Sequence, residues 1–215
     1  AGGARVPTDA HALKAWLNNG DTNHRGAIQG TVQDIEANNG DIMAAFSSRG
    51  PNNQVPDLIK PDMTAPGVDI LAAVASLGQT APEIEFYSGT SMSSPHMTGA
   101  GALMMQAKSP AWTVAEIQSA LMTTAVYDNT VRKEDGIRPT DPFDRGAGRV
   151  NIANALNAGL LLDITEGEYL AANPATGGDP KTLNYPSMAD DACYKSCGWT
   201  RTVRNPTGQS MTWNG

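Results

Sequence analysis

The residues whose types and spacing best suit chemistry are those of the octapeptide Gly89-Thr90-Ser91-Met92-Ser93-Ser94-Pro95-His96. The run Ile84-Glu85-Phe86-Tyr87 before it is β-prone, Ser88-Gly89 is turn chemistry, and Ser91 to Ala107 contains no Asp, Glu, Lys or Arg. A serine hydroxyl thus falls at the joint between a strand and a helix. At the first turn of a helix the backbone N–H groups lack intrahelical partners and sit at the positive end of the dipole, where they can hold a developing oxyanion. The chemistry implied is attack of the Ser91 hydroxyl on a carbonyl, with Gly89 leaving room for that carbonyl beside the main chain. The plain alternative is that Ser91 only caps the helix. A helix without a charged face is expected to be buried on nearly all sides.

A serine hydroxyl is a poor nucleophile without a base in hydrogen-bond reach and a third group to orient that base. The sequence holds three histidines, His11, His24 and His96. His11 falls in the first turn of an amino-terminal helix and reads as a surface residue. His96 belongs to the serine helix itself and reads as a packed, hydrogen-bonded side chain rather than a base. His24 follows Asp21-Thr22-Asn23 in a polar loop. The fifth motif position is Ser93 rather than glycine, which argues against an esterase of the Gly-x-Ser-x-Gly type, and no Ser-x-x-Lys occurs.

The octapeptide resembles the active-site serine motif of the subtilisin-like serine proteases, Gly-Thr-Ser-Met-Ala-x-Pro-His, with Ser93 in place of alanine. Phe46-Ser47-Ser48-Arg49-Gly50-Pro51-Asn52 and the run from Ile59 to Ala73 resemble the same family, particularly its larger plant and bacterial members with an inserted domain. The match runs from about Ile42 to Leu162. The resemblance implies a serine endopeptidase whose nucleophile is Ser91, with Tyr87 beside the leaving-group side of the substrate. It also implies that the triad aspartate and histidine precede the serine in the chain. Neither the apolar strand ending in aspartate nor a His-Gly-Thr-His context exists here, and no asparagine, Asn38, Asn39 and Asn52 included, is assigned as oxyanion donor. The chain therefore reads as the carboxy-terminal half of a catalytic domain, inactive alone, with proteins or peptides as substrates and the missing amino-terminal half as partner. A catalytically silent protein-binding module of the same fold is the alternative.

The elements that must position Ser91 follow from pattern. Thr8 or Asp9 can cap a helix carrying Leu13, Trp16 and Leu17 and ended by Gly20. Ala27–Val32 and Ile42–Phe46 read as strands around the Asn38-Asn39-Gly40 turn, and Val68–Val74 reads as a buried strand. Ser109-Pro110 interrupts the chain, and Thr113-Val114-Ala115-Glu116 opens another helix, to about Ala125, as a capping box. Tyr127 to Arg145 reads as surface loop, then Gly146–Asn151 as a brief strand before a last helix with Gly159 as its cap. The expected fold class is α/β, part of a subtilisin-like parallel-sheet domain over 1–163. A linker over 164–182 follows, then an incomplete fibronectin-like β-sandwich over 183–215.

Composition bounds the rest. A chain of 215 residues, 40% hydrophobic with 22 Gly and 14 Pro, suits one compact, loop-rich core. The net charge of −7 argues against nucleic-acid and anionic-membrane surfaces. Apolar runs are too short for a membrane span, and no cofactor or metal is expected. The chain opens Ala-Gly-Gly without a methionine and is expected to be a processed or cut piece of a secreted protein. Cys193 and Cys197 are too few for a structural zinc site; a short-loop disulfide is the preferred reading and free thiols the alternative. Half of a parallel sheet would leave apolar surface open, so self-association is expected of the isolated chain.

Overall fold

The computed structural model describes residues 7–20, 22–23, 25, 39–76, 78, 81–108, 112–127 and 131–213, with side chains described from residue 12 onward. The strand expected over 27–32, together with Asp21, His24, Asn38, Ser109-Pro110 and the His11 side chain, lies outside the described residues. The amino-terminal helix α1 runs Pro7–Leu17, and Leu13, Trp16 and Leu17 on it are exposed.

Strands β1 (Ile70–Val74) and β2 (Glu83–Tyr87) pair antiparallel, with Ile70 opposite Tyr87 and Val74 opposite Glu83. β1 starts two residues later than the sequence suggests and is not buried: Leu71 on it and Ile84 and Phe86 opposite are all more than half exposed. The reason is that these three share one face of a two-stranded sheet, and among the described residues no layer covers that face. Parallel pairing is present as single bridges, Ile42 to Arg132 and Thr64 to Arg149. Ile42–Phe46 accordingly forms no strand: Met43 N–H donates to Arg132 O at 2.8 Å, and a turn closes from Ser47 N–H to Ala44 O.

The core is helical. Helix α2 (Thr90–Ala107) packs through Ala100 and Met104 on Ile117, Ala120 and Leu121 of α3 (Val114–Thr123) and on Ala155 of α5 (Ile152–Ala155). Sequence explains where α3 starts. Thr113 Oγ1 accepts the Glu116 N–H at 3.1 Å and Glu116 Oε2 accepts the Thr113 N–H at 3.0 Å, the reciprocal pair expected from Thr-x-x-Glu. The last helix is shorter than expected, and Leu156 rather than Gly159 caps it.

Within the polar stretch 127–145, Asp141 and Asp144 cap a one-turn helix, α4 (Pro142–Arg145), in the same reciprocal way. Asp144 is buried and receives Lys133 Nζ at 2.9 Å and Arg49 Nη1. Burial works against its charge, but the Asp141 amide and these two cations outweigh it and hold the carboxyl down at about 2. Gly146, at φ 63°, then turns the chain so closely over Pro61 and Asp62 that a Cβ would lie 2.2 Å from Pro61 O.

Residues 164–182, read from sequence as a linker, are tied down. Thr165 and Glu168 form a third capping box at the start of α6 (Glu166–Ala171). Ile164, Ala172, Leu183 and Tyr185 close a second apolar cluster with Met122 of α3. The following segment lies on the helical core as extended chain rather than as strands: Leu161 and Arg204 exchange backbone hydrogen bonds at 2.9 and 2.8 Å. Arg204 forks onto both oxygens of Glu116, which is 3% exposed. Tyr185 Oη donates to Asp62 Oδ1 at 2.6 Å and accepts from Gln118 Nε2 at 2.9 Å. Cys193 and Cys197 are joined as a disulfide across a Cα separation of 5.9 Å.

Candidate active site

The hairpin delivers the chain to the amino end of α2 by way of Ser88 and Gly89. Gly89 occupies the N-cap position with extended backbone, and its N–H donates to Gly67 O at 2.8 Å. Its carbonyl accepts the Met92 N–H at 2.9 Å and the Ser93 N–H at 3.3 Å, the first bonds of the helix. Thr90 and Ser91 precede those bonds, so their amides project from the helix end. No side chain caps this end and no acidic residue stands in its first turn. The dipole's positive pole is therefore uncompensated at Ser91.

Ser91 is exposed. The polar side chains around it turn back onto their own helix: Ser93 Oγ donates to Thr90 O at 3.0 Å and Thr98 Oγ1 to Ser94 O at 3.3 Å. His96 Nδ1 lies 2.8 Å from Met92 O, the hydrogen bond expected of it, but the ring is exposed rather than packed. Five residues along a helix place His96 about 140° around the axis from Ser91, away from the hydroxyl. Pro95 has no N–H, so the Ser91 carbonyl has no i+4 amide to accept from.

Tyr87 is the last residue of β2 and is 47% exposed. Its phenol is pushed up, first by a hydrogen bond to Glu85 and then by the charges of Glu85 and Glu83. Tyr87, Gly89 and Ser91 thus follow one another on the surface. A Cβ at Gly89 would meet Met92 Sδ at 3.5 Å and Ser91 N at 3.6 Å, both ordinary contacts, so packing among the described residues does not demand glycine there. Gly67 is the glycine that close approach requires: a Cβ on it would lie 2.9 Å from Gly89 O and 3.1 Å from Ser93 Cβ. Nothing local in the sequence marks Gly67 for this, because the atoms that crowd it lie more than twenty residues further along the chain.

The serine helix is not buried on nearly all sides, as its lack of charge suggested. Ala100 and Met104 are its buried residues, while Leu103 and Met105 are 53% and 59% exposed. Under its first turns lies an open cavity of about 820 Å³ lined by Ile42, Met43, Met63, Val68, Ser93 and Met97 among others. Ser91 and Tyr87 do not line it. The charge-free helix therefore leaves an apolar flank, Leu103 and Met105, largely open among the described residues.

Asn39 borders that cavity, and Asn52 Oδ1 is taken up by the Gln54 and Val55 amides. The one carboxylate group close enough to suggest a cation among the described residues is Asp57, Asp190 and Asp191. It is already engaged, with Lys181 Nζ 3.4 Å from Asp190 and the Asp191 N–H on Asp57. No helix among the described residues is long and apolar enough to cross a membrane.

Comparison with known proteins bears on the same stretch. The model of the subtilase family matches residues 14–153. Subtilisin-like protease SBT1.6 of Arabidopsis thaliana is 40% identical over 168 residues, covering 73% of this chain and 22% of that protein. Subtilisin-like protease SBT1.7 of the same plant is 37% identical over 219 residues, covering 85% of this chain and 28% of the relative. SBT1.3 is 44% identical over 202 residues, with 76% and 26% covered. The chain thus spans about a quarter of the length of these curated relatives. Fervidolysin from Fervidobacterium pennivorans, a solved structure, aligns over 45% of this chain and 15% of its own at 28% identity and a TM-score of 0.37, too low to carry an argument.

Proposed function

Because the chain belongs to the subtilase family, we propose that Ser91 is the nucleophile of a serine endopeptidase acting on protein or peptide substrates outside the cell. In such an enzyme a histidine base takes the hydroxyl proton as Oγ bonds to the scissile carbonyl carbon. It then returns the proton to the amine as the C–N bond breaks, and water releases the acyl group by the same route. Here Ser91 Oγ attacks, and the Ser91 amide helps to hold the oxyanion. Tyr87 stands on the leaving-group side, with Gly89 beside the substrate main chain. The observation that carries this reading is an exposed serine at an uncapped helix amino-terminus, directly after a hairpin, inside the subtilase match.

The base and its aspartate belong to residues outside this chain, in an amino-terminal portion of the catalytic domain that also covers the open flank of α2. Alone, the chain has no useful peptidase activity: removing the base or nucleophile of subtilisin costs about a millionfold in turnover. Residues 183–215 begin a fibronectin-like domain that continues beyond this sequence, and an inserted domain precedes Ala1. A silent binding module remains the second reading, favoured by the exposed apolar surface of α2.

The test is labelling with a fluorophosphonate probe read by intact mass, with Ser91→Ala as control. We expect no labelling of this chain alone, and labelling at Ser91 once the separately made amino-terminal half is added. Labelling of the chain alone would sink the split-site reading. Failure to label even with both halves present would favour the binding module.

A further inference from the structure

We propose that Asp69 and Ser88 form a positioning pair that sets the direction in which the chain enters the Ser91 turn. The idea deepens the nucleophile reading above and rests on it. Asp69 is one of three described non-glycine residues with positive φ, at 50°, a conformation that asparagine and aspartate tolerate better than other side chains. It lies one residue before β1, and Ser88 lies one residue after β2.

The two residues close on each other twice. The Asp69 N–H donates to Ser88 Oγ at 2.8 Å, and the Ser88 hydroxyl donates to Asp69 Oδ1 at 3.1 Å. A backbone rung beside them, Gly89 N–H to Gly67 O at 2.8 Å, completes the contact between the two passing segments. Beyond Ile70 and Tyr87 the regular ladder has ended, so this clasp replaces it at the last point before α2. No side chain caps α2 and Pro95 removes the bond onto the Ser91 carbonyl, so the first turn hangs on Gly89, whose carbonyl takes the Met92 and Ser93 amides. The left-handed turn at Asp69 and the hydroxyl of Ser88 therefore supply the orientation that a capping side chain gives elsewhere. Neither residue touches the reacting atoms; both act through the backbone of Gly89.

The pair is tested with Asp69→Ala, Asp69→Asn and Ser88→Ala by two readouts. The first is amide hydrogen exchange of this chain, followed at residues 85–95 and, as internal reference, at α3. Asp69→Ala and Ser88→Ala should speed exchange in the turn about tenfold or more and leave α3 unchanged. Asp69→Asn, which keeps both an acceptor and tolerance of positive φ, should restore protection. The second is the fluorophosphonate labelling rate of Ser91 in the recombined two-half protein. It should fall about tenfold or more in the Ala variants and stay within about threefold in Asp69→Asn, as expected for a nucleophile displaced by a fraction of an ångström.

Unchanged exchange in Asp69→Ala overturns the pair. So does faster exchange with an unchanged labelling rate, or a loss in which α3 exchanges faster as well. If wild-type protein is not labelled with both halves present, it is the nucleophile reading that fails, and the exchange pattern alone decides whether the clasp orders the turn.

Discussion

Helices α2 and α3 lie against one another, and their outer faces could hardly differ more. Around α3, Glu116, Ser119 and Gln118 each reach a defined partner, and the segment from Ile164 to Arg204 is laid over them. Around α2, the outward Leu103 and Met105 are more than half exposed, and an open cavity lies beside Ser93 and Met97. The α3 side is closed by bonded polar groups except at Val114 in its first turn, which is 76% exposed, whereas the outer face of α2 has no such bonds to another segment among the described residues. The difference shows that absence of charge in a sequence reports where a helix is meant to be, not where one stretch of chain alone can put it.

The largest expected effect comes from reversing the closed side. Arg204→Ala leaves a nearly buried carboxylate with only its capping amide. The guanidinium itself is about half exposed, which moderates the cost to about 2 kcal/mol in urea denaturation. A loss under 0.5 kcal/mol would mean that the carboxy-terminal segment is not held there in solution.

Acid should act at a second buried carboxylate, Asp144, which pairs with Arg49 and Lys133 rather than with α3. Asp144 has its carboxyl held down at about 2, below the ordinary value of 3.8, so its charge stabilises the fold above about pH 4. That contribution, roughly 2 kcal/mol, drains away as pH falls through 2. Asp144→Asn should flatten the stability profile between pH 4 and 2, and an unaltered slope would show that Arg49 and Lys133 do not hold the carboxylate.

Removing the cap with Thr113→Ala should cost about 1 kcal/mol by thermal or urea unfolding. The same experiment on α2 has no counterpart, because no cap exists there to remove.

The smallest stability change is expected on the open side. Leu103→Gln with Met105→Gln should alter the stability of the isolated chain by about 0.5 kcal/mol or less, since both are more than half exposed already. In sedimentation, the isolated chain should self-associate and the double variant should shift toward monomer. A monodisperse wild-type chain would remove the contrast between the two faces.

Local signals carried most of what the sequence made legible. Thr113-x-x-Glu116 announced α3, Ile84–Tyr87 announced β2, and the octapeptide announced a serine at a helix start. Thr165-x-x-Glu168 is the same capping signal, and the glycine- and proline-rich texture around it hid α6. The rest was long-range and had no local trace. Arg204 reaches across 88 residues to Glu116, and Asp69 across 19 to Ser88. The exposure of Leu71 and Phe86 was equally invisible, because β-prone residues look alike whether or not a second layer is present.

One carboxylate has a consequence for the order of assembly. Glu116 Oε2 accepts both the Thr113 amide and Arg204 Nη2, so one atom serves the start of a helix and the docking of a segment far along the chain. The docking site for Arg204 exists only after the first turn of α3 has wound and brought Glu116 back over Thr113. A chain emerging from its amino terminus would therefore wind α3 first and clasp residues 183–204 onto it afterwards. Substitutions at Thr113 should slow refolding, whereas those at Arg204 should mainly hasten unfolding.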